Sequence, residues 1–72
     1  MTAQIKWYIA FDVSIGDPTF LRIINTNTIT FFRIDRGPFN SLEETFAVLR
    51  DRRFYDEETC NRVIREATEK YI

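Results

Sequence analysis

The sequence contains no histidine and only one cysteine, Cys60, among its 72 residues. Histidine is the side chain that most often acts as a general base near neutral pH, so its absence removes the commonest route to acid–base catalysis. One cysteine forms no intrachain disulfide, and without histidine it offers no zinc site of the usual composition. A lone thiol is also typical of a reducing compartment. We therefore expect a cytoplasmic, non-enzymatic protein that uses no metal and no cofactor.

Glycine and proline are equally scarce, with two of each, and no glycine-rich phosphate loop is present. No apolar run approaches the roughly 20 residues that span a bilayer. The N-terminus lacks the basic and then apolar pattern of a signal peptide. A net charge of −1 excludes a strong uniform positive field, although a local basic patch remains compatible with it. We interpret residues 1–72 as a single small domain and a complete gene product, with no membrane segment.

Aromatic residues, in contrast, are abundant: seven phenylalanines, three tyrosines and one tryptophan. A chain this short buries only about 60% of its unfolded surface, so it needs a dense core or a partner. The aromatic content exceeds what a two-layer core of this size requires. Exposed aromatic side chains mark interfaces, so part of this surplus predicts contact with a protein partner. The alternative is a homodimer in which a second copy of the chain covers the other face of the sheet.

Apolar residues occupy every second position from Gln4 to Val13, which predicts a first strand with Trp7, Ile9 and Phe11 on one face. Gly16, Asp17 and Pro18 then predict a turn over Ser14–Thr19. This connection is too short for a helical crossover, so the second strand should return antiparallel.

The second and third strands are predicted over Phe20–Asn25 and Thr28–Asp35, with a tight turn at Asn25–Asn27 between them. Apolar side chains fall on both faces of each strand, so the pattern does not say which face is buried. An alternative interpretation joins the two strands into one long bent ribbon. Arg36, Gly37 and Pro38 are predicted to end the sheet.

Two helices are predicted in the second half of the chain. Ser41 and Glu44 form a capping-box pattern in front of a helix over Leu42–Arg53. Asp56 is predicted to cap a second helix, whose apolar face includes Cys60. Tyr55 and Cys60 fit the two positions of a hydrophobic staple. The opposite face alternates charges four residues apart, as in Arg62 with Glu66 and Arg65 with Glu69. The predicted fold class is thus α+β, a three-stranded antiparallel sheet (β-β-β) followed by two α-helices packed on one face in two layers.

The apolar first strand that ends in Asp12, Val13 and Ser14 resembles the first strand of Cas2-type nucleases. In that family an aspartate at this place binds the catalytic metal, so the resemblance implies a metal-dependent nuclease acting through Asp12. In that family a helix follows the strand, whereas Gly16, Asp17 and Pro18 follow it here. The family's ferredoxin-like order is therefore absent, and the function is not carried over. We interpret Asp12 as a residue on the solvent face of its strand and Cys60 as a buried structural thiol.

Arginine and aromatic residues occur together after the third strand and at the end of the first helix. This combination is typical of protein hot spots and also of phosphate contacts; the alternative is a solvated helix end with Asp35 and Asp51 as local partners of the arginines. We therefore predict a non-enzymatic protein-binding module. It would be a small regulator or inhibitor, such as a phage- or mobile-element-encoded protein that acts on a host complex. The alternative is a nucleic-acid-binding protein. The predicted partner-binding residues are Tyr8, Phe32, Arg33, Arg36, Arg50, Arg52, Arg53, Phe54 and Tyr55.

Overall fold

The computed structural model describes residues 4–13, 20–28 and 32–72, and within them it contains the predicted α+β fold. The elements are β1 (Trp7–Asp12), β2 (Leu21–Asn25), a 3-10 turn (Thr26–Thr28), β3 (Phe32–Phe39), α1 (Leu42–Leu49) and α2 (Glu57–Tyr71). Two predictions, the turn over Ser14–Thr19 and the start of the third strand, fall wholly or partly outside the described residues. No helix in the described ranges has the length and apolar character needed to cross a membrane.

Strand β1 is the centre of the sheet, which has the order β2-β1-β3, and both neighbours run antiparallel to it. Ile9 thus lies between Ile23 of β2 and Arg36 of β3. The interpretation of the second and third strands as one bent ribbon is wrong, because they flank opposite sides of β1.

The third strand differs most from its prediction, since it covers Phe32–Phe39 and passes through the residues that were predicted to end the sheet. Gly37 permits this course with a φ of 126°. A Cβ on Gly37 would lie 2.8 Å from Cδ1 of Tyr8 and 2.9 Å from the carbonyl oxygen of Trp7. Pro38 is tolerated because β3 is an edge strand.

Helix α1 begins as predicted and ends four residues early, at Leu49 rather than Arg53. Ser41 Oγ accepts from the backbone N–H of Glu44 at 3.1 Å, which confirms the cap. Glu44 reaches back to the N–H of Asn40 at 3.0 Å, one residue before the expected donor. The early end has a local cause. The Asp51 carboxylate binds the N–H of Arg53 at 3.0 Å, an alternative to helical pairing.

Helix α2 begins after Asp56, whose carboxylate accepts from the N–H of Thr59 at 2.8 Å, as predicted. The two helices cover one face of the sheet, where Ile9, Leu49 and Val63 are at most 1% exposed. The proposed staple residues Tyr55 and Cys60 both lie in this core, and Trp7 and Phe11 pack against it.

Side chains of α2 also close the outer edge of β2. The N–H of Asp12 donates to the carbonyl of Phe20, so Phe20 is at a hydrogen-bonded position of the β1–β2 pair. Hydrogen-bonded positions alternate along an antiparallel strand, so Leu21 and Ile23 direct their carbonyls away from β1. Arg62 Nη1 donates to the Leu21 carbonyl at 3.2 Å, and the Tyr71 hydroxyl donates to that of Ile23 at 3.0 Å. Glu66 binds Arg22 of β2 at 2.9 Å. Arg62 and Glu66 therefore reach the sheet, in place of the mutual pairing predicted for them.

Candidate protein-binding surface

Three of the predicted partner-binding residues meet where the turn after α1 approaches β3. The Phe54 ring is 51% exposed. The guanidinium carbon of Arg36 lies 3.9 Å from its centroid, and that of Arg53 lies 5.5 Å from it. We call Arg36, Arg53 and Phe54 the Phe54 cluster. Guanidinium groups at these distances are attracted to the ring face, so they hold the exposed ring in place.

Asp51 fixes the position of Arg53. Its carboxylate accepts from the backbone N–H, from Nε at 3.1 Å and from Nη2 at 2.8 Å. These hydrogen bonds from the Arg53 side chain and backbone favour the ionised carboxylate and lower the pKa of Asp51 to about 2. Arg53 thus carries its own counter-ion at neutral pH, which limits its attraction for phosphate.

Tyr55 ties the same turn to β3. Its hydroxyl donates to Asp35 Oδ2 at 2.7 Å, and the residue is only 6% exposed. Burial, together with this hydrogen bond, raises the pKa of Tyr55 well above its ordinary value. Tyr55 is one of the predicted partner-binding residues, and its burial leaves little of it on the surface for a direct contact. It supports Phe54, its neighbour in the chain, from inside.

An open groove of about 380 Å³ runs beside the Phe54 cluster, between β3 and α1. It is lined by residues 35–39 of β3 and by Val48 of α1. Arg36 belongs to both the groove and the cluster. An apolar floor beside a guanidinium suits one partner side chain with an adjacent carboxylate.

The remaining predicted residues are not all on this surface. Arg33, Arg50 and Arg52 are exposed, and Arg50 lies 5.9 Å from the ring of Phe46. Tyr8 and Phe32 lie on the other side of the sheet, because Tyr8 alternates with Ile9 along β1 and Phe32 pairs with Asp12. The predicted partner-binding residues are therefore divided between two faces of the sheet, and one flat partner surface cannot contact all of them.

The side chain of Asp12 is buried and forms an ion pair. It is 5% exposed, and its Oδ2 lies 2.8 Å from Nε of Arg22. Within residues 4–13, 20–28 and 32–72, no group of three or more Cys, Asp or Glu side chains is arranged to hold a metal ion. Cys60 is 2% exposed and faces the core. Cys60 thus matches its structural interpretation, whereas Asp12, which was predicted to lie on the solvent face of its strand, is buried and paired with Arg22.

Sequence reasoning missed the network at the β2 edge. Phe20 lies under two guanidiniums, with Arg22 at 5.0 Å and Arg62 at 4.0 Å from its ring centroid. Arg22 also bridges Asp12 to Glu66 of α2. The available signal was an arginine between apolar residues of a short strand, because such a charge needs a partner from another element.

No protein-family model, curated protein or solved structure significantly matches this chain.

Proposed function

We propose that this protein is a non-enzymatic protein-binding module, a small regulator or inhibitor, whose contact surface is the Phe54 cluster and the groove beside it. The observation that carries this proposal is the half-exposed ring of Phe54 held between Arg36 and Arg53. Aromatic and arginine side chains contribute most of the binding free energy at protein interfaces.

The fixed geometry of the cluster supports the same proposal. Arg53 is bound to Asp51, and the turn is anchored to β3 through Tyr55 and Asp35. Each immobilised side chain at an interface costs about 0.5–1.5 kcal/mol of ordering free energy when a partner binds. Side chains that are already ordered avoid part of this cost. The cluster is thus prepared to bind without rearrangement.

The groove suggests the chemistry of the partner. Its apolar lining from Pro38, Phe39 and Val48 fits an aliphatic or aromatic anchor, and Arg36 at its rim fits a carboxylate. We therefore propose a partner segment that presents an apolar side chain next to an acidic one. A host protein complex as target, the source in a phage or mobile element and a cytoplasmic location belong to the same proposal.

The test begins with an affinity pull-down from the native host, analysed by mass spectrometry with and without nuclease treatment. Binding of the purified partner is then measured for Phe54→Ala and for a control, Ile5→Ala. Ile5 is 45% exposed and lies before β1, outside the cluster. A hot-spot loss of about 2 kcal/mol weakens binding about 30-fold in Phe54→Ala, whereas the control binds normally. Equal affinities for both variants would contradict the proposal.

Nucleic-acid binding is the second candidate, and the exposed guanidiniums of Arg50 and Arg52 favour it. The ion pair between Asp51 and Arg53 argues against nucleic-acid binding, because a paired guanidinium displaces fewer counter-ions from a phosphate backbone. Anisotropy with labelled single- and double-stranded oligonucleotides separates the two functions. A phosphate binder loses affinity steeply as salt rises, whereas an interface anchored on Phe54 changes little.

A further inference from the structure

The two edges of the sheet differ in what covers them. The edge of β2 is closed by Arg62 and Tyr71 of α2. On the other edge, the middle of β3 is open, since Arg33, Ile34 and Asp35 are all exposed. An open strand edge pairs readily with another strand. Something therefore has to determine what this edge accepts.

The ladder shows which backbone groups of β3 point outward. The hydrogen bond from Asp12 N–H to the Phe20 carbonyl indicates that Ala10, two residues earlier, also directs its backbone groups toward β2. Ile34 lies opposite Ala10 on the other side. It is therefore at a non-hydrogen-bonded position of the β1–β3 pair, and its N–H and carbonyl face the free edge.

The residues around Ile34 are complementary to themselves. Arg33 and Asp35 carry opposite charges on the two sides of Ile34, and their side chains lie on the same face of the sheet. Arg33 pairs with Phe11 on the core face, and Asp35 reaches Tyr55 in the helical layer. If the strand pairs antiparallel with a copy of itself about Ile34, each Arg33 lies opposite the Asp35 of the other copy. Such opposite-charge pairs stabilise an antiparallel ladder.

We propose that a second copy of this chain binds the open edge, with the two β3 strands antiparallel and the two-fold axis at Ile34. The Ile34 residues then exchange two backbone hydrogen bonds and bring their side chains together, and two Arg33–Asp35 pairs flank them. Asp35 Oδ2 already accepts from Tyr55, and Oδ1 is the acceptor for the arginine. Moving the axis to Arg33 or to Asp35 would place like charges opposite each other, so one register is favoured.

The paired stretch is short. Pro38 has no N–H to donate, and the register between β1 and β3 shifts between Ile34 and Arg36, so the contact does not extend beyond Phe32–Arg36. A stable interface buries about 1,200–2,000 Å², more than five residue pairs supply. The dimer is therefore weak and depends on concentration. Arg53 and Phe54 lie outside the paired stretch, whereas Arg36 belongs both to this stretch and to the Phe54 cluster.

Sedimentation equilibrium tests the proposal on the full chain. The mass is measured at protein concentrations up to about 1 mM, where half of the chains are in dimers even if the free energy of dimerisation is only about −4 kcal/mol. We expect the wild type to approach twice its monomer mass. Arg33→Asp and Asp35→Arg should each stay monomeric, because each sets like charges opposite each other. A mixture of the two variants should dimerise, since every cross-strand pair is then opposite in charge. Arg65→Asp on α2 is the matched control and should dimerise like the wild type.

Hydrogen exchange gives a second readout that does not depend on the stability of the variants. The Ile34 amide should become protected as the concentration of wild type rises, whereas the Arg33 amide, bound to β1 in every state, should not change. Circular dichroism verifies that each variant is folded. If Asp35→Arg does not fold, Arg33→Asp together with the exchange data still tests the proposal. A wild type that is monomeric at every concentration would overturn the proposal. So would a dimer that Arg33→Asp leaves intact, or a mixture of two folded variants that stays monomeric.

Discussion

The hydrogen bond between Tyr55 and Asp35 joins the turn that carries Phe54 to strand β3, so its removal tests both stability and the candidate site. In Tyr55→Phe the ring stays in the core and only the hydroxyl is lost. Hydrogen bonds to charged groups contribute about 1.5–3 kcal/mol, but Asp35 is exposed and water can replace the lost donor. We therefore expect a loss of about 1–2 kcal/mol, a noticeable part of the roughly 4–11 kcal/mol typical of a 72-residue domain.

Urea unfolding at pH 7, followed by circular dichroism, measures this loss. Tyr71→Phe is the matched control, because its hydroxyl donates to a neutral acceptor, the Ile23 carbonyl, at 3.0 Å. A neutral hydrogen bond contributes about 0.5–1.5 kcal/mol, so the control should lose less. If Tyr55→Phe unfolds at the wild-type urea concentration, or if the control loses more, then Asp35 does not anchor the turn.

The same variant has a pH signature. The folded pKa of Tyr55 is raised above its ordinary value of about 10, because the ring is buried and its hydroxyl faces Asp35. As the pH rises past 10, the unfolded chain releases this proton first, so the contribution of Tyr55 is complete below pH 10 and is lost above it. The stability difference between wild type and Tyr55→Phe should therefore shrink above pH 10. A difference that stays constant to pH 11 would refute the shift.

Three further predictions follow from the core, the sheet and the candidate surface. Ile9→Ala removes a side chain with no exposure and should cost about 2–5 kcal/mol in urea unfolding, whereas Ile5→Ala, at an exposed position, should cost less than about 1. Gly37→Ala places a residue with a Cβ at a positive φ and close to β1, and should lower the free energy of unfolding by about 1–3 kcal/mol or more. Arg53→Gln should raise the pKa of Asp51 from about 2 toward its ordinary value, measured by NMR titration of the carboxyl; an unchanged pKa would show that the guanidinium is not the cause.

The parts of the fold that the sequence predicts are those with local physical causes. Alternation along β1 identifies the face with Trp7, Ile9 and Phe11 that packs against the helices, but Ala10 and Asp12 on the opposite face are buried as well, which the alternation does not predict. Ser41 and Asp56 mark the starts of both helices because a cap needs only a side chain and the next turn of backbone. The end of α1 was missed because Asp51 was assigned to the helix. In the structure it accepts from Arg53 and terminates the helix.

The parts that were missed depend on contacts between elements. Nothing in the chain between β2 and β3 states that they flank β1 on opposite sides, because the pattern of each strand is apolar on both faces. The course of β3 past Gly37 depends on how closely Tyr8 approaches it, which is a tertiary fact. In the candidate site, Arg53 and Phe54 are neighbours in the chain, and the sequence grouped them correctly. The sequence did not predict that Tyr55 lies buried against Asp35.

The two proposed surfaces lie on the β3 side of the molecule. Arg62, Glu66 and Tyr71 of helix α2 bind β2, so the carbonyls of Leu21 and Ile23 at that edge are already hydrogen-bonded. Helix α1 has eight residues and lies over β1 and β3 without reaching the outer edge of β3 at Ile34. The β3 side of the molecule therefore has both an open strand edge at Ile34 and the exposed ring of Phe54 in the turn after α1.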